Sequence, residues 1–94
     1  MKQYFVYILT SKRNGTLYIG VTSDIKQRIF LHREGKVDGF TKKYCVHTLV
    51  FYEVYEQINE AIAREKQLKE WKRDWKLELI ESKNSNWKDL YDSF

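Results

Sequence analysis

An α/β domain, a three-stranded antiparallel sheet flanked by helices in the order β-β-α-β-α-α, is predicted by three observations. Two aromatic and β-branched runs, residues 4–10 (YFVYILT) and 16–21 (TLYIGV), are joined through Asn14-Gly15, a dipeptide that turns hairpins because both residues accept positive φ. A third run of the same kind, 48–55 (TLVFYEVY), is long enough for another strand. The remaining segments space their apolar residues three and four apart, which is the helical period.

With 94 residues there is room for one core, so residues 1–94 are read as a single domain. Seven Tyr, five Phe and three Trp give the chain enough apolar bulk to exclude disorder. The single cysteine, Cys45, rules out an intrachain disulfide and a cysteine-based zinc site, and it favours a cytoplasmic location over a secreted, bridge-stapled fold. The apolar run 4–9 is too short for a signal peptide or a membrane span. Seventeen Lys and Arg against thirteen Asp and Glu, a net charge of +4, permit a phosphate-bearing partner without requiring one.

A two-residue Asn-Gly loop sets Arg13 against Thr16 and Tyr7 against Thr22. Alternation then puts Tyr7, Tyr18 and Gly20 on one sheet face, in this register and in any other of the same parity. Thr22-Ser23-Asp24 is a run of N-cap formers ahead of a helix whose buried edge is Ile25 and Ile29. Arg28 and His32 flank that edge four residues apart, on one side, and Gly35 ends the helix. Residues 36–47 read as an irregular loop with a basic tip, Lys42-Lys43, pinned by Phe40 and Tyr44. In the third strand Leu49, Phe51, Glu53 and Tyr55 alternate with Val50, Tyr52 and Val54.

A helix over 59–71, capped by Asn59, turns Ala61, Ile62, Leu68 and then Trp71 or Trp75 inward. A further helix from about 74 to 81 buries Trp75, Leu79 and Ile80, and neither Gly nor Pro marks a break before it. The tail, NSNWKDLYDSF, docks through Trp87 and Leu90.

Glu65 carries the most information, because it lies inside an apolar stripe. A carboxylate there costs free energy unless it is paired, protonated or bound to a cation. Its plain reading is a salt bridge, and its functional reading is one ligand of a hydrated Mg²⁺. Arg28 is either a surface arginine or a planar clamp on phosphate oxygens. His32 is either a partly buried helix histidine or a proton carrier. Tyr7 and Tyr18 are either satisfied core tyrosines or groups that orient a water. Together they contain the three requirements of phosphodiester cleavage: an attacking water, charge neutralisation, and a stabilised leaving oxygen. The alternation of Arg64, Lys66, Lys69, Lys72, Arg73 and Lys76 with Trp71 and Trp75 is either a phosphate-tracking surface with stacking platforms or, the favoured reading, a solvated face interleaved with Glu70 and Asp74 over core tryptophans.

Val6-Tyr7-Ile8 followed by Tyr18-Ile19-Gly20 resembles the paired signature of the GIY-YIG nuclease superfamily. The likeness runs on through Arg28, His32 and Glu65, with FTKKY, AIAREKQLKEW and the NxxW-like tail similar to small single-domain bacterial members related to the nuclease domain of the excinuclease C subunit. The resemblance implies a single-metal phosphodiesterase site using Mg²⁺ or Mn²⁺. Glu65 would be the metal ligand, Arg28 would stabilise the scissile phosphate, and Tyr18 or Tyr7 would activate the water. His32 would stand at a Tyr-or-His position, and Gly20 would let the backbone pass close. It also implies action on DNA, branched or damaged DNA included, in repair or processing. Apart from the resemblance, Lys42 and Lys43 at the basic loop tip are candidate nucleic-acid contacts, and a monomer is the favoured state.

Two positions depart from the pattern. Phe5 replaces the first signature glycine, and Trp75, Lys76 and Leu77 stand where many members have an Asn. The second departure motivates an alternative, a catalytically weak or inactive nucleic-acid-binding module. The aromatic tail motivates a third reading, a protein-interaction domain.

Overall fold

Three strands, β1 (Tyr4–Thr10), β2 (Leu17–Thr22) and β3 (Thr48–Tyr55), form an antiparallel sheet in the order β2-β1-β3. The computed structural model describes residues 2–36 and 39–94, so Val37 and Asp38 of the expected loop lie outside the described residues. The central place of β1 accounts for its near-continuous apolar run, since it is covered on both faces.

The hairpin is longer than Asn14-Gly15 predicts. Gly15 N donates to Lys12 O at 2.8 Å, and Ser11 N donates to Thr16 O at 3.1 Å. Thr16 N also donates to the Ser11 hydroxyl at 3.1 Å, so Ser11 fixes a wider loop in which Asn14 alone takes positive φ (57°). Tyr7 therefore faces Gly20 instead of Thr22. The slip keeps the parity, and Tyr7, Tyr18 and Gly20 share a face as expected.

A bulge interrupts the alternation of β3. Ile8 pairs with Phe51 but Leu9 pairs with Leu49, leaving Val50 as the extra residue. Leu49 and Phe51, expected on one face, consequently enter different cores. One core holds Val6, Ile8, Ile19, Val50 and Phe51 under Ala61, Leu68, Ile80 and Trp87. The other holds Tyr7, Leu9 and Leu49 with Ile25, Ile29 and Val46.

Helix α1 (Ile25–Arg33) is capped by Asp24, whose side chain accepts from Gln27 N, and ends at Gly35 with φ 69°. A short helix, α2 (Gly39–Tyr44), stands where the sequence reads as irregular loop. Its fixed point is Thr41, which is buried although it has the look of a surface residue.

Helix α3 (Ile58–Glu70) begins after Gln57, which makes no side-chain cap, so the expected cap Asn59 lies inside the helix. Trp71 and Lys72 are extended, and α4 (Arg73–Lys83) starts afresh after them. That restart resets the helical phase: Leu77, Leu79 and Ile80 pack on the core, whereas Trp75, expected inward, is 50% exposed.

The tail docks through Trp87 as expected, with Leu90 partly buried against the Tyr7 core in a 3₁₀ turn (Leu90–Ser93). Asn84 clamps this tail, donating to Val50 O and Lys88 O at 3.0 and 2.8 Å. Among the described residues no helix is long and apolar enough to cross a membrane.

Candidate active site

The predicted residues gather at β2, an open edge of the sheet where helices from both faces meet. Tyr7 starts on the central strand and its ring lies across Gly20, so that a Cβ placed on Gly20 would sit 2.5 Å from the Tyr7 hydroxyl. The glycine is therefore required by the close approach of a ring, whereas backbone conformation alone would tolerate a side chain there. This crossing carries the Tyr7 hydroxyl from the middle of the sheet towards its edge.

At that point the hydroxyl enters a buried polar chain. Tyr7 Oη lies 3.1 Å from His32 Nε2, and His32 Nδ1 lies 3.2 Å from Thr41 Oγ1. Tyr7, His32 and Thr41 are all buried, with exposures of 0%, 2% and 1%. Burial pushes the Tyr7 pKa up to about 12, the neighbouring Tyr18 and Glu65 add to the rise, and the Arg28 guanidinium opposes it. Tyr7 is thus a neutral phenol at ordinary pH. Both ring nitrogens of His32 are thus engaged within a buried polar chain.

The solvent-reaching groups are different ones. Tyr18 is half-buried, its ring centroid 6.4 Å from that of Tyr7 and 5.2 Å from that of His32. Arg28 is half-buried on α1, and its Nε is buried without a hydrogen-bond partner among the described residues. An orphaned buried donor is expensive; any acceptor would satisfy it, and a charged one would do so most strongly.

Glu65 lies between the buried Ala61 and Leu68 on α3, with its side chain 16% exposed. Its Oε2 is 3.0 Å from Lys69 Nζ, so the plain salt-bridge reading describes its present partner. Among the described residues no three His, Cys, Asp or Glu side chains cluster as a metal cage.

Lys42 and Lys43 are exposed on α2 and are not drawn into this cluster. The stem of Lys42 lies against Gly35, and Lys43 Nζ is 5.4 Å from the centroid of the Tyr44 ring. Of the basic residues after β3, Arg64 is committed to Glu53 through Nε and a second nitrogen (2.9 and 3.1 Å), and Arg73 to the carbonyls of Asn14 and Gly15.

Three neighbours were missed in the sequence. Lys69 was legible, because it stands four residues after Glu65 on a helix. Thr41 was not, since no periodicity announces α2, and Phe40 reads only as a pin for the loop.

The family model described as the GIY-YIG catalytic domain matches residues 3–78. The chain belongs to the GIY-YIG family. Among its GIY-YIG relatives, a UPF0213 protein of Staphylococcus haemolyticus is 36% identical over 83 residues, 88% of this chain and 100% of that protein. A UPF0213 protein of Staphylococcus saprophyticus is also 36% identical, over 80 residues, 85% of this chain and 96% of its own. The solution NMR structure of the UPF0213 protein BH0048 from Bacillus halodurans matches with a TM-score of 0.58 at 29% identity, covering 93% of this chain and 92% of that one.

The two departures from the family pattern have distinct settings. Phe5 packs its ring on Tyr52 and Phe94 (centroids 6.3 and 6.0 Å), which is a packing role. Where the Asn is absent, Trp75 is exposed and Lys76 Nζ donates to Lys69 O at 3.3 Å.

Proposed function

We propose that the protein hydrolyses phosphodiester bonds of DNA in a reaction that depends on Mg²⁺ or Mn²⁺. The observation that carries the reading is the orphaned Arg28 Nε together with Tyr7, whose ionisation is influenced by Tyr18, Arg28 and Glu65 alike. A lone carboxylate fits a hard cation that leaves most of its coordination to water and phosphate oxygens, and fits zinc or calcium poorly. Glu65 would hold the ion, which when bound supplies charge neutralisation at the phosphate and a more acidic water.

The chain's own residues do the rest. Arg28 binds non-bridging phosphate oxygens through its planar donors and stabilises their charge as it grows. Tyr18, the tyrosine open to solvent, orients the attacking water. Tyr7, held neutral by burial, acts as a positioning residue: it fixes the Arg28 guanidinium and is itself held by His32 and Thr41. Lys69, the present partner of Glu65, would have to yield that pair for Glu65 to hold the ion.

Nicking of plasmid and branched DNA with Mg²⁺ or Mn²⁺, beside an EDTA control, tests the proposal. Cleavage that survives in Glu65→Ala would sink it.

The Glu65–Lys69 pair also favours one alternative, a nucleic-acid-binding module in which the ammonium permanently replaces the metal. That module would bind DNA in a salt-dependent way, weakened by Arg28→Ala, and would leave every strand intact.

A further inference from the structure

Beside Tyr18 the molecule exposes two aromatic rings on one short helix. Phe40 and Tyr44, on α2, are 42% and 46% exposed. Their ring centroids lie 5.0 Å apart, and Phe40 lies 6.3 Å from Tyr18 at an interplanar angle of 32°. The three rings thus form a ladder leading outward from the candidate active site. Buried Thr41 anchors α2 beneath them, so the ladder rests on a fixed base.

Along the same edge runs a groove of about 300 Å³ lined by Leu17, Tyr18, Ile19, Phe40, Lys69 and Lys76. Its charged lining is Lys69 and Lys76; Glu65 offsets part of the first charge, and the second, bonded to the Lys69 carbonyl, keeps the groove suited to an anion beside a flat apolar group. A nucleotide has both parts, and the groove is at the lower bound of small-ligand pockets, too small for a duplex.

The other exposed aromatic surface is unlike it. Trp75 shares its shallow depression with Glu78, and Lys72 Nζ already lies 5.9 Å from the centroid of its ring. With one carboxylate and one ammonium offsetting each other, that surface offers a phosphate no net attraction.

Resting on the nucleic-acid reading above, we infer that Phe40 is a stacking platform for one unpaired base, with Lys69 and Lys76 receiving the adjacent phosphate. A paired base is sandwiched in its own helix and offers no face to a protruding ring. The site therefore favours single-stranded segments, such as flaps, gaps or frayed ends, over continuous duplex. Lys69 joins this site to the chemistry, since the same side chain pairs with Glu65.

The test is fluorescence anisotropy with a labelled single-stranded oligonucleotide and a matched duplex in EDTA, where binding is read without cleavage. Wild type should bind the single strand more tightly. Phe40→Ala should lose roughly 5- to 100-fold on the single strand, the range of base–aromatic stacking, with little change on the duplex. Phe40→Trp should keep the affinity and Phe40→Leu should lose it, which separates stacking from bulk. The double variant Lys69→Met with Lys76→Met should flatten the salt dependence, whereas Phe40→Ala should leave its slope unchanged.

Single-strand affinity within twofold of wild type in a folded Phe40→Ala, judged by circular dichroism, overturns the stacking site. Should wild type nonetheless cleave with metal, the nuclease reading stands alone. Binding that depends on Phe40 in a protein that never cleaves supports the stacking site and removes the nuclease reading. No nucleic-acid binding by wild type overturns both.

Discussion

On the α3–α4 side of the sheet, the fully buried side chains of Val6, Ile8, Val50, Leu68 and Ile80 need only shape and volume from their neighbours. On the α1–α2 side, Tyr7, His32 and Thr41 are buried just as deeply, and each brings a polar atom that must find a partner. Both faces exclude water, but one does so to stabilise and the other to fix one hydroxyl next to a guanidinium. A satisfied polar chain sets orientation more tightly than an apolar contact, and a broken one is costly. The difference teaches where to look for chemistry: at the sheet edge where the polar face opens, with the apolar face as its support.

The comparison can be broken first on the apolar side. Leu68→Ala removes a fully buried side chain and should cost about 2–5 kcal/mol in urea unfolding, while cleavage per folded molecule persists. Gly20→Ala attacks the polar side by volume. The new methyl would press on a Tyr7 ring that is buried and hydrogen-bonded, so a loss of about 1–3 kcal/mol is expected, accompanied by a fall in cleavage. An unchanged rate in Gly20→Ala would mean that the placement of Tyr7 does not matter.

Tyr7 also gives the polar face a pH signature. Its folded pKa of about 12 lies above the ordinary 10.0, so its share of stability is complete below pH 10 and is lost as pH rises towards 12. Denaturation midpoints between pH 9 and 12 should fall less steeply in Tyr7→Phe than in wild type. Tyr55 on the other face, also raised to about 12, by burial first and then by its bond to Glu53, contributes a second loss that Tyr7→Phe leaves in place. If the wild-type and Tyr7→Phe slopes coincide, the Tyr7 hydroxyl is not held as described.

The smallest expected effect concerns Lys69. Its ammonium competes for Glu65 across a half-exposed pair, so Lys69→Met should tighten Mn²⁺ binding, read by electron paramagnetic resonance, by about two- to fivefold. Weaker binding would show that Lys69 helps to build the ion site.

Much of this arrangement was legible in the residues. The strands announced themselves through β-branched and aromatic runs, and parity alone put Tyr7, Tyr18 and Gly20 on one face. Spacing by four joined Arg28 to His32, and the apolar stripe around Glu65 marked it as out of place. What escaped was decided by contacts between distant segments or by single side chains. Ser11 widened the hairpin and moved Gly20 opposite Tyr7, which is why the glycine must be bare. Thr41 set α2 against His32, a buried contact between segments that no local pattern announced. The helix break at Trp71 and Lys72 carries no Gly or Pro, so the outward turn of Trp75 had no local signal.

The central claim is that the open edge of β2 is a metal-dependent phosphodiesterase site with Glu65 as its metal-facing group. Cleavage of a labelled, single-strand-containing DNA in Mn²⁺ tests it most directly, measured for wild type and Glu65→Gln with thermal melts of both. The account predicts cleavage by wild type that EDTA abolishes, and a loss of about 100-fold or more in Glu65→Gln with the melting temperature little changed. Equal cleavage by the two proteins, or none by a folded wild type that binds DNA, would contradict it.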